Sequence, residues 1–246
     1  MSSTISTTVE ERLAQSEQGA SSANCCRQGC RFFAAETGSV PSGTDRNWAI
    51  QTFARNETIY TKGSKSTFTF RVLEGAVRLT RVFADGRRQI VNFYLPDEIF
   101  GFEFSETYTS TAEAVGEVVT MRCPRACVLY HSATDPDINL RRLAMLGKSL
   151  NAAEKHVTML GHQSARQRVA SFFLTFEKVR GKDDSFMLDL PLGRQDIADY
   201  LGLTIETTCR ALSDLKRRQI IDTPRRRQIV VRDPGCLKAI AEGLAA

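Results

Sequence analysis

Residues 193–210 read GRQDIADYLGLTIETTCR, and how this stretch folds decides the architecture of the C-terminal third. Arg194–Tyr200 reads as a short helix, Leu201-Gly202-Leu203 as a turn and Thr204–Arg218 as a longer helix. Thr204 suits the N-cap, where a side-chain oxygen accepts from first-turn N–H groups, and Thr207 and Thr208 are tolerated early in the helix. Ile197, Ala198, Leu201, Leu203, Ala211, Leu212 and Leu215 are the apolar residues expected where the two helices cross. Ala198 is small at the point of closest approach. A short helix, a Gly-containing turn and a second helix form the unit that lays its second helix in a DNA major groove. On the exposed start of that helix stand Ile205, Glu206, Cys209 and Arg210. Arg donates twice to guanine, Glu accepts from a cytosine amino group, and an apolar side chain adds contact. Glu206 and Arg210 also have the four-residue spacing of a surface ion pair, and one pair can serve both roles.

Downstream, the stretch Arg210–Arg232 holds eight basic residues against Asp214 and Asp222 alone. A local excess of six positive charges over 23 residues is the footprint of a phosphate-binding surface. Arg225, Arg226 and Arg227 fall between two β-prone runs, Ile220-Ile221 and Gln228–Val231, and read as the tip of a hairpin. Arg194, Thr204, Thr207 and this tip are expected to hold phosphates, which fixes register without reading sequence. Residues 1–162 are nearly neutral, with 18 basic and 17 acidic residues, so most of the chain's +5 lies after them. Upstream, Val169, Phe172, Phe173 and Phe176 mark one apolar face of a helix from Ala165 to Val179. A loop at residues 181–184 and strand-like Leu188 and Leu190 follow.

Asp135-Pro136 opens another helix, with an acidic cap and proline in the first turn. Leu143, Leu146, Leu150, Ala153, Val157 and Leu160 follow at alternating spacings of three and four. Such a helix can pack on its own domain. The narrow seam between polar flanks favours a dimerising coiled coil instead. Gly161-His162-Gln163 reads as a hinge. Residues 48–128 read as all-β: Val77–Val82 alternates apolar with polar, Gln89–Leu95 does so loosely, and Asp85-Gly86 between them signals a primed hairpin turn. Residues 1–24, rich in Ser, Thr, Glu and Gln, read as a disordered tail, and residues 36–47 as a loop.

Apolar residues at 42% suffice for a core, which excludes a wholly disordered chain. No apolar run is long enough for a membrane helix, and the N-terminus lacks the pattern of a secretory signal. A cytoplasmic protein is expected, in which disulfides rarely persist. His131, His156 and His162 show no metal-ligand spacing and read as surface residues. No Cys/His arrangement nominates a thiol enzyme, so no catalytic residue is expected.

The stretch 193–210 closely resembles the C-terminal motif of the CRP/FNR transcription factors, and the resemblance runs from about residue 48 to 240. It takes in the hairpin segments Leu73-Glu74-Gly75 and Asp85–Ile90. The implied fold is α+β: a cyclic-nucleotide-binding-like β-roll, a long dimerisation helix and a winged helix-turn-helix. On this resemblance the chain divides into an extension (1–47), the roll (48–134), the helix (135–162) and the DNA-binding domain (163–246). Glu206-Thr207-Thr208-Cys209-Arg210 is similar to the Glu-x-x-Ser-Arg of the FNR and FixK branches. Ile205 stands where the cyclic-AMP-responsive branch has Arg. The resemblance therefore implies a homodimer on inverted TTGAT-like half-sites in promoter DNA. It also implies contact with RNA polymerase, as an activator under low oxygen.

Three inputs come from the same resemblance. A cyclic nucleotide requires an Arg for its phosphate. Gly101-Phe102-Glu103-Phe104 is followed by Thr109-Ser110-Thr111-Ala112 without one, so no cyclic nucleotide is expected. An iron–sulfur cluster would need four thiolates, from Cys25, Cys26, Cys30 and Cys123 or Cys127. The spacing Cys-Cys-x3-Cys departs from the family's Cys-x2-Cys-x5-Cys, so the expectation is no cofactor, with the cluster as the alternative. Cys209 is the third. It stands where relatives carry Ser, beside Arg210 and near a helix N-terminus, a setting that favours thiolate. Oxidation there would set negative charge against phosphate and inactivate DNA binding.

Overall fold

The computed structural model describes residues 49–176, 186–189, 192–225 and 228–244. The readings of residues 1–47, of the loop at 181–184 and of Val179, Leu190, Arg226 and Arg227 lie outside them. Contacts divide the chain into two compact units. One comprises residues up to 79 together with 93–146; the other comprises 80–92 and 147–246. The boundary cuts the long helix between Leu146 and Gly147 rather than at either end.

Residues 49–124 carry eight strands: β1 (Ala49–Phe53), β2 (Thr58–Tyr60), β3 (Phe68–Glu74), β4 (Val77–Val82), β5 (Arg88–Tyr94), β6 (Ile99–Phe100), β7 (Thr111–Ala114) and β8 (Val118–Pro124). They form two four-stranded sheets, ordered β1-β8-β3-β6 and β2-β7-β4-β5. Tyr60, Phe70, Phe100 and Tyr108 stack in the core over Val72, Val77 and Val118. Aromatic rings bury much area per residue, which suits a small barrel of short strands. The alternation read in Val77–Val82 is only half right. Arg78 and Thr80 are buried, and Val82 is 63% exposed. Arg78 tolerates burial because Nε pairs with Glu113 at 2.8 Å and Nη2 donates to Asn56 at 3.2 Å.

The turn at Asp85-Gly86 also differs from the primed type. Phe83 and Arg87 close a three-residue loop, Gly86 N–H donates to the Phe83 carbonyl, and of the loop residues only Gly86 has positive φ. This is the loop with a left-handed last residue, the next commonest hairpin connection. Helix α1 (Arg125–Thr134), not anticipated in the sequence, follows β8 and buries Cys127, Val128, His131 and Ser132. His131 is therefore a core residue, not a surface one.

Helix α2 (Pro136–His162) starts as expected: Asp135 Oδ1 accepts from the N–H groups of Asp137 and Ile138. Leu143, Leu150 and Val157 are more than half exposed, Ala153 is exposed, and Leu146 and Leu160 are half-buried. The apolar seam is thus not consumed by the chain's own core.

In the second unit, α3 (Ala165–Thr175) begins with a reciprocal cap between Ser164 and Gln167. It ends at Thr175, where the Phe176 N–H turns back onto Phe173 and Leu174. Val169, Phe172, Phe173 and Phe176 are buried, as their spacing requires. Three antiparallel strands, β9 (Phe186–Asp189), β10 (Ile221–Arg225) and β11 (Gln228–Val231), are ordered β10-β11-β9. Helices α4 (Arg194–Leu201), α5 (Ile205–Arg217) and α6 (Pro234–Ala241) complete the unit. The segment read as a hinge is well tied. Arg168 donates to the carbonyls of Leu160, Gln163 and Leu201, and Gln163 donates to Ala241. Among the described residues no helix is long and apolar enough to cross a membrane.

Candidate nucleic-acid interface

Gly202 makes the site possible. Its φ of +62° ends α4 in the left-handed conformation, which glycine adopts without strain. The chain then re-enters helix at once: Thr204 caps α5, its Oγ1 accepting from the Thr207 N–H at 3.2 Å. Ile197, Ala198 and Leu201 of α4 meet Ala211, Leu212 and Leu215 of α5 in the buried crossing, with Leu203 half-buried beside them. One face of α5 is thereby sealed and the other left to solvent.

That open face carries Ile205, Glu206 and Arg210, all exposed, with Cys209 half-buried between them. Among the described residues Arg210 makes no hydrogen bond or ion pair, so its five donors remain available. The Glu206 carboxyl is held below the usual carboxylate range, first by its own backbone N–H, then by the Thr204 hydroxyl, with a smaller pull from the charge of Arg210. It stays ionised and acceptor-only near neutral pH. Thr204 and Thr207 share a hydroxyl hydrogen bond of 3.0 Å. Arg194, the first residue of α4, reaches across so that Nη1 lies 3.4 Å from the Cys209 sulfur. The sequence placed Arg210 beside this thiol; the guanidinium bonded to it is that of Arg194.

Arg166, Thr207, Cys209, Arg210 and Arg217 line a shallow open depression along α5. Arg166 was missed in the sequence because its relevance depends on a tertiary contact. Nε sits 3.0 Å from Asp214 Oδ2, while Arg217 takes the other oxygen. Asp222 likewise engages Lys216 and Arg232. The basic run is therefore not uniformly free: its two acids already hold Lys216, Arg217 and Arg232. Arg225 ends β10 opposite Gln228 at the hairpin tip, while Arg226 and Arg227 lie outside the described residues. Cys123 is buried in the first unit. No three His, Cys, Asp or Glu side chains converge as a metal site among the described residues. Cys25, Cys26 and Cys30 are not among them.

Other groups support the interface from behind. Arg88 bridges Asp196 and Asp199 of α4. The His156 ring stacks on Tyr200 at 4.1 Å, with Nε2 2.9 Å from the Tyr200 carbonyl oxygen. His156 is thus half-buried and bonded, which corrects its reading as a simple surface residue.

Residues 167–240 match the Crp-like helix-turn-helix domain, and residues 50–130 the cyclic nucleotide-binding domain. The nitrogen fixation regulation protein FixK of Azorhizobium caulinodans is 36% identical over 191 residues, covering 76% of this chain and 77% of that protein. The transcriptional activator protein FnrL of Cereibacter sphaeroides is 31% identical over 189 residues, covering 74% and 76%. The solved structure of FixK2 from Bradyrhizobium japonicum superposes with a TM-score of 0.74 at 34% identity, covering 81% of this chain and 98% of that one.

Proposed function

Given that the chain belongs to the CRP/FNR family of DNA-binding transcription regulators, among the FixK- and FNR-type activators, we propose that it works in the cytoplasm as a homodimer on promoter DNA. The seam Leu143, Leu146, Leu150, Ala153, Val157 and Leu160 joins two copies, and the two α5 helices enter successive major grooves about 34–36 Å apart. Arg210 and Glu206 read base edges and Ile205 adds apolar contact. Arg194, Thr204, Thr207 and Arg225–Arg227 hold phosphates. The operator is a pair of inverted TTGAT-like half-sites, and the bound dimer recruits RNA polymerase. The observation that carries this reading is the exposed Arg210, which makes no hydrogen bond or ion pair among the described residues, beside an ionised Glu206 at the start of a capped helix.

Activity needs no cyclic nucleotide in this reading. Residues 101–112 contain no Lys or Arg. Glu103 is turned onto Thr109, accepting from its N–H and hydroxyl. The buried arginines Arg71 and Arg78 are engaged by Asp97 and Glu113. These residues do not fit a buried cyclic phosphate, which needs a charge-assisted partner. No other cofactor enters the reading. Cys209 instead supplies the input: oxidised by peroxide to a sulfinic or sulfonic acid, it puts negative charge against phosphate and occupies Arg194.

The test is an anisotropy titration of a duplex with both half-sites against the same duplex with one half-site scrambled. Binding of a dimer as a unit to the intact duplex, weakened at least tenfold by scrambling, is expected. Equal affinity for both duplexes would refute the two-half-site reading.

A further inference from the structure

We propose that Arg88 is a positioning residue for DNA binding: by spanning Asp196 and Asp199 it sets the start of α4, and with it the phosphate contact of Arg194. The inference rests on the DNA-binding reading above. Arg88 belongs to the hairpin segment 80–92, which by its contacts is part of the second unit. Its Nη2 lies 2.9 Å from Asp196 Oδ1 and 2.6 Å from Asp199 Oδ2, and its Nε donates to Asp199 Oδ2 at 2.7 Å. Both carboxylates are only 10% exposed.

Asp196 and Asp199 are three apart on α4 and so share a face, where two like charges repel. Arg88 is the cation bonded to both. Its planar fork makes the bridge possible, because parallel N–H groups meet two acceptors at once. Each carboxylate also shapes the start of the helix. Asp196 Oδ2 accepts from the Gly193 N–H at 3.1 Å, and Asp199 Oδ1 accepts from Gln195 at 2.6 Å. Arg194 lies between these two bonded residues and is the one that reaches toward α5. The next hairpin residue reinforces the hold, since Gln89 Nε2 donates to the Tyr200 carbonyl at 3.3 Å.

Without Arg88, two nearly buried carboxylates lose a cation that both of them bond, and the charge left less compensated is relieved by movement or hydration. The start of α4 shifts, Arg194 loses its phosphate, and two carboxylates are uncovered in a unit that must approach a polyanion.

The experiment uses the full chain on operator and random duplexes across a salt series. The variants are Arg88→Ala, Arg88→Lys, Asp196→Asn/Asp199→Asn, and the triple Arg88→Ala/Asp196→Asn/Asp199→Asn. Circular dichroism melting reports folding in each. Arg88→Ala should weaken operator binding about tenfold or more and lower the salt slope by about one, the share of a single phosphate contact. Arg88→Lys should fall between, since a single ammonium does not span two carboxylates. The triple variant should recover affinity to within about threefold and regain the slope, because amides keep the cap and need no cation.

A purely structural role would lower the melting temperature and the active fraction but leave the slope alone. If Arg88→Ala does not fold, the Asn pair carries the test, as it should make the Ala substitution both foldable and tolerated. Wild-type affinity and slope in Arg88→Ala, or a triple variant no better than Arg88→Ala, would overturn the proposal. Failure of the wild type to prefer operator over random DNA would instead overturn the reading it rests on.

Discussion

Arg210 and Cys209 are neighbours in sequence but play separate parts. Arg210 is exposed, whereas Cys209 is half-buried under Arg194. Replacing Arg210 with Ala removes a bidentate donor and should cost about 1–3 kcal/mol of discrimination at one base position. It should barely alter binding to random DNA. Arg226→Ala should do the reverse, weakening all sequences alike and reducing the salt slope by about one. For Cys209, peroxide treatment should abolish operator binding by the wild type and spare Cys209→Ala. Equal loss in both proteins would remove the redox input. The residues on the open face of α5 were legible in the sequence because helical periodicity and one cap fix which side is sealed. The partner of Cys209 was not, since Arg194 lies 15 residues away and approaches only through the turn at Gly202.

Among the elements, α2 and the β4–β5 hairpin differ in how much the sequence disclosed. The seam of α2 was readable from spacing alone, and the exposure of Leu143, Leu150 and Val157 leaves it open to a second copy. Leu150→Asp should therefore shift sedimentation from dimer to monomer and sharply reduce operator affinity, with the melting curve little changed. An unaltered dimer would assign the contact elsewhere. The hairpin was legible as a hairpin, but its loop type and the burial of Arg78 depended on Glu113, 35 residues on. His156, on α2, is also fixed from afar by Tyr200. Burial lowers its pKa, outweighing hydrogen bonds to the Tyr200 and Val91 backbone that raise it. The folded chain thus favours the neutral ring. Its stabilising contribution is full above the unfolded pKa of about 6.5 and is lost as pH falls through the lower folded value. The melting temperature should drop more between pH 7 and pH 5 in the wild type than in His156→Gln. Identical profiles would show that the ring is not buried in this way.

On the scale of the whole chain, the sequence already separated a nearly neutral N-terminal part from a basic C-terminal one, and that asymmetry is the charge pattern of a DNA-binding protein. The structure refines it. Asp214 and Asp222 each hold basic neighbours, so part of the basic run orients itself and the exposed start of α5 is left for recognition. What remained hidden in the sequence were long-range polar ties: Arg88 to α4, Arg166 to Asp214, and Arg168 to three carbonyls. No periodicity announces such partners, because each is chosen by the folded neighbourhood rather than by spacing. The proposed base reading by α5 rests on Arg210. Its most direct measurement is the ratio of operator to random-sequence affinity, at one fixed salt concentration, for the wild type and Arg210→Ala. This ratio should fall about tenfold or more in the variant while random-sequence affinity changes little; an unchanged ratio would contradict base reading by Arg210.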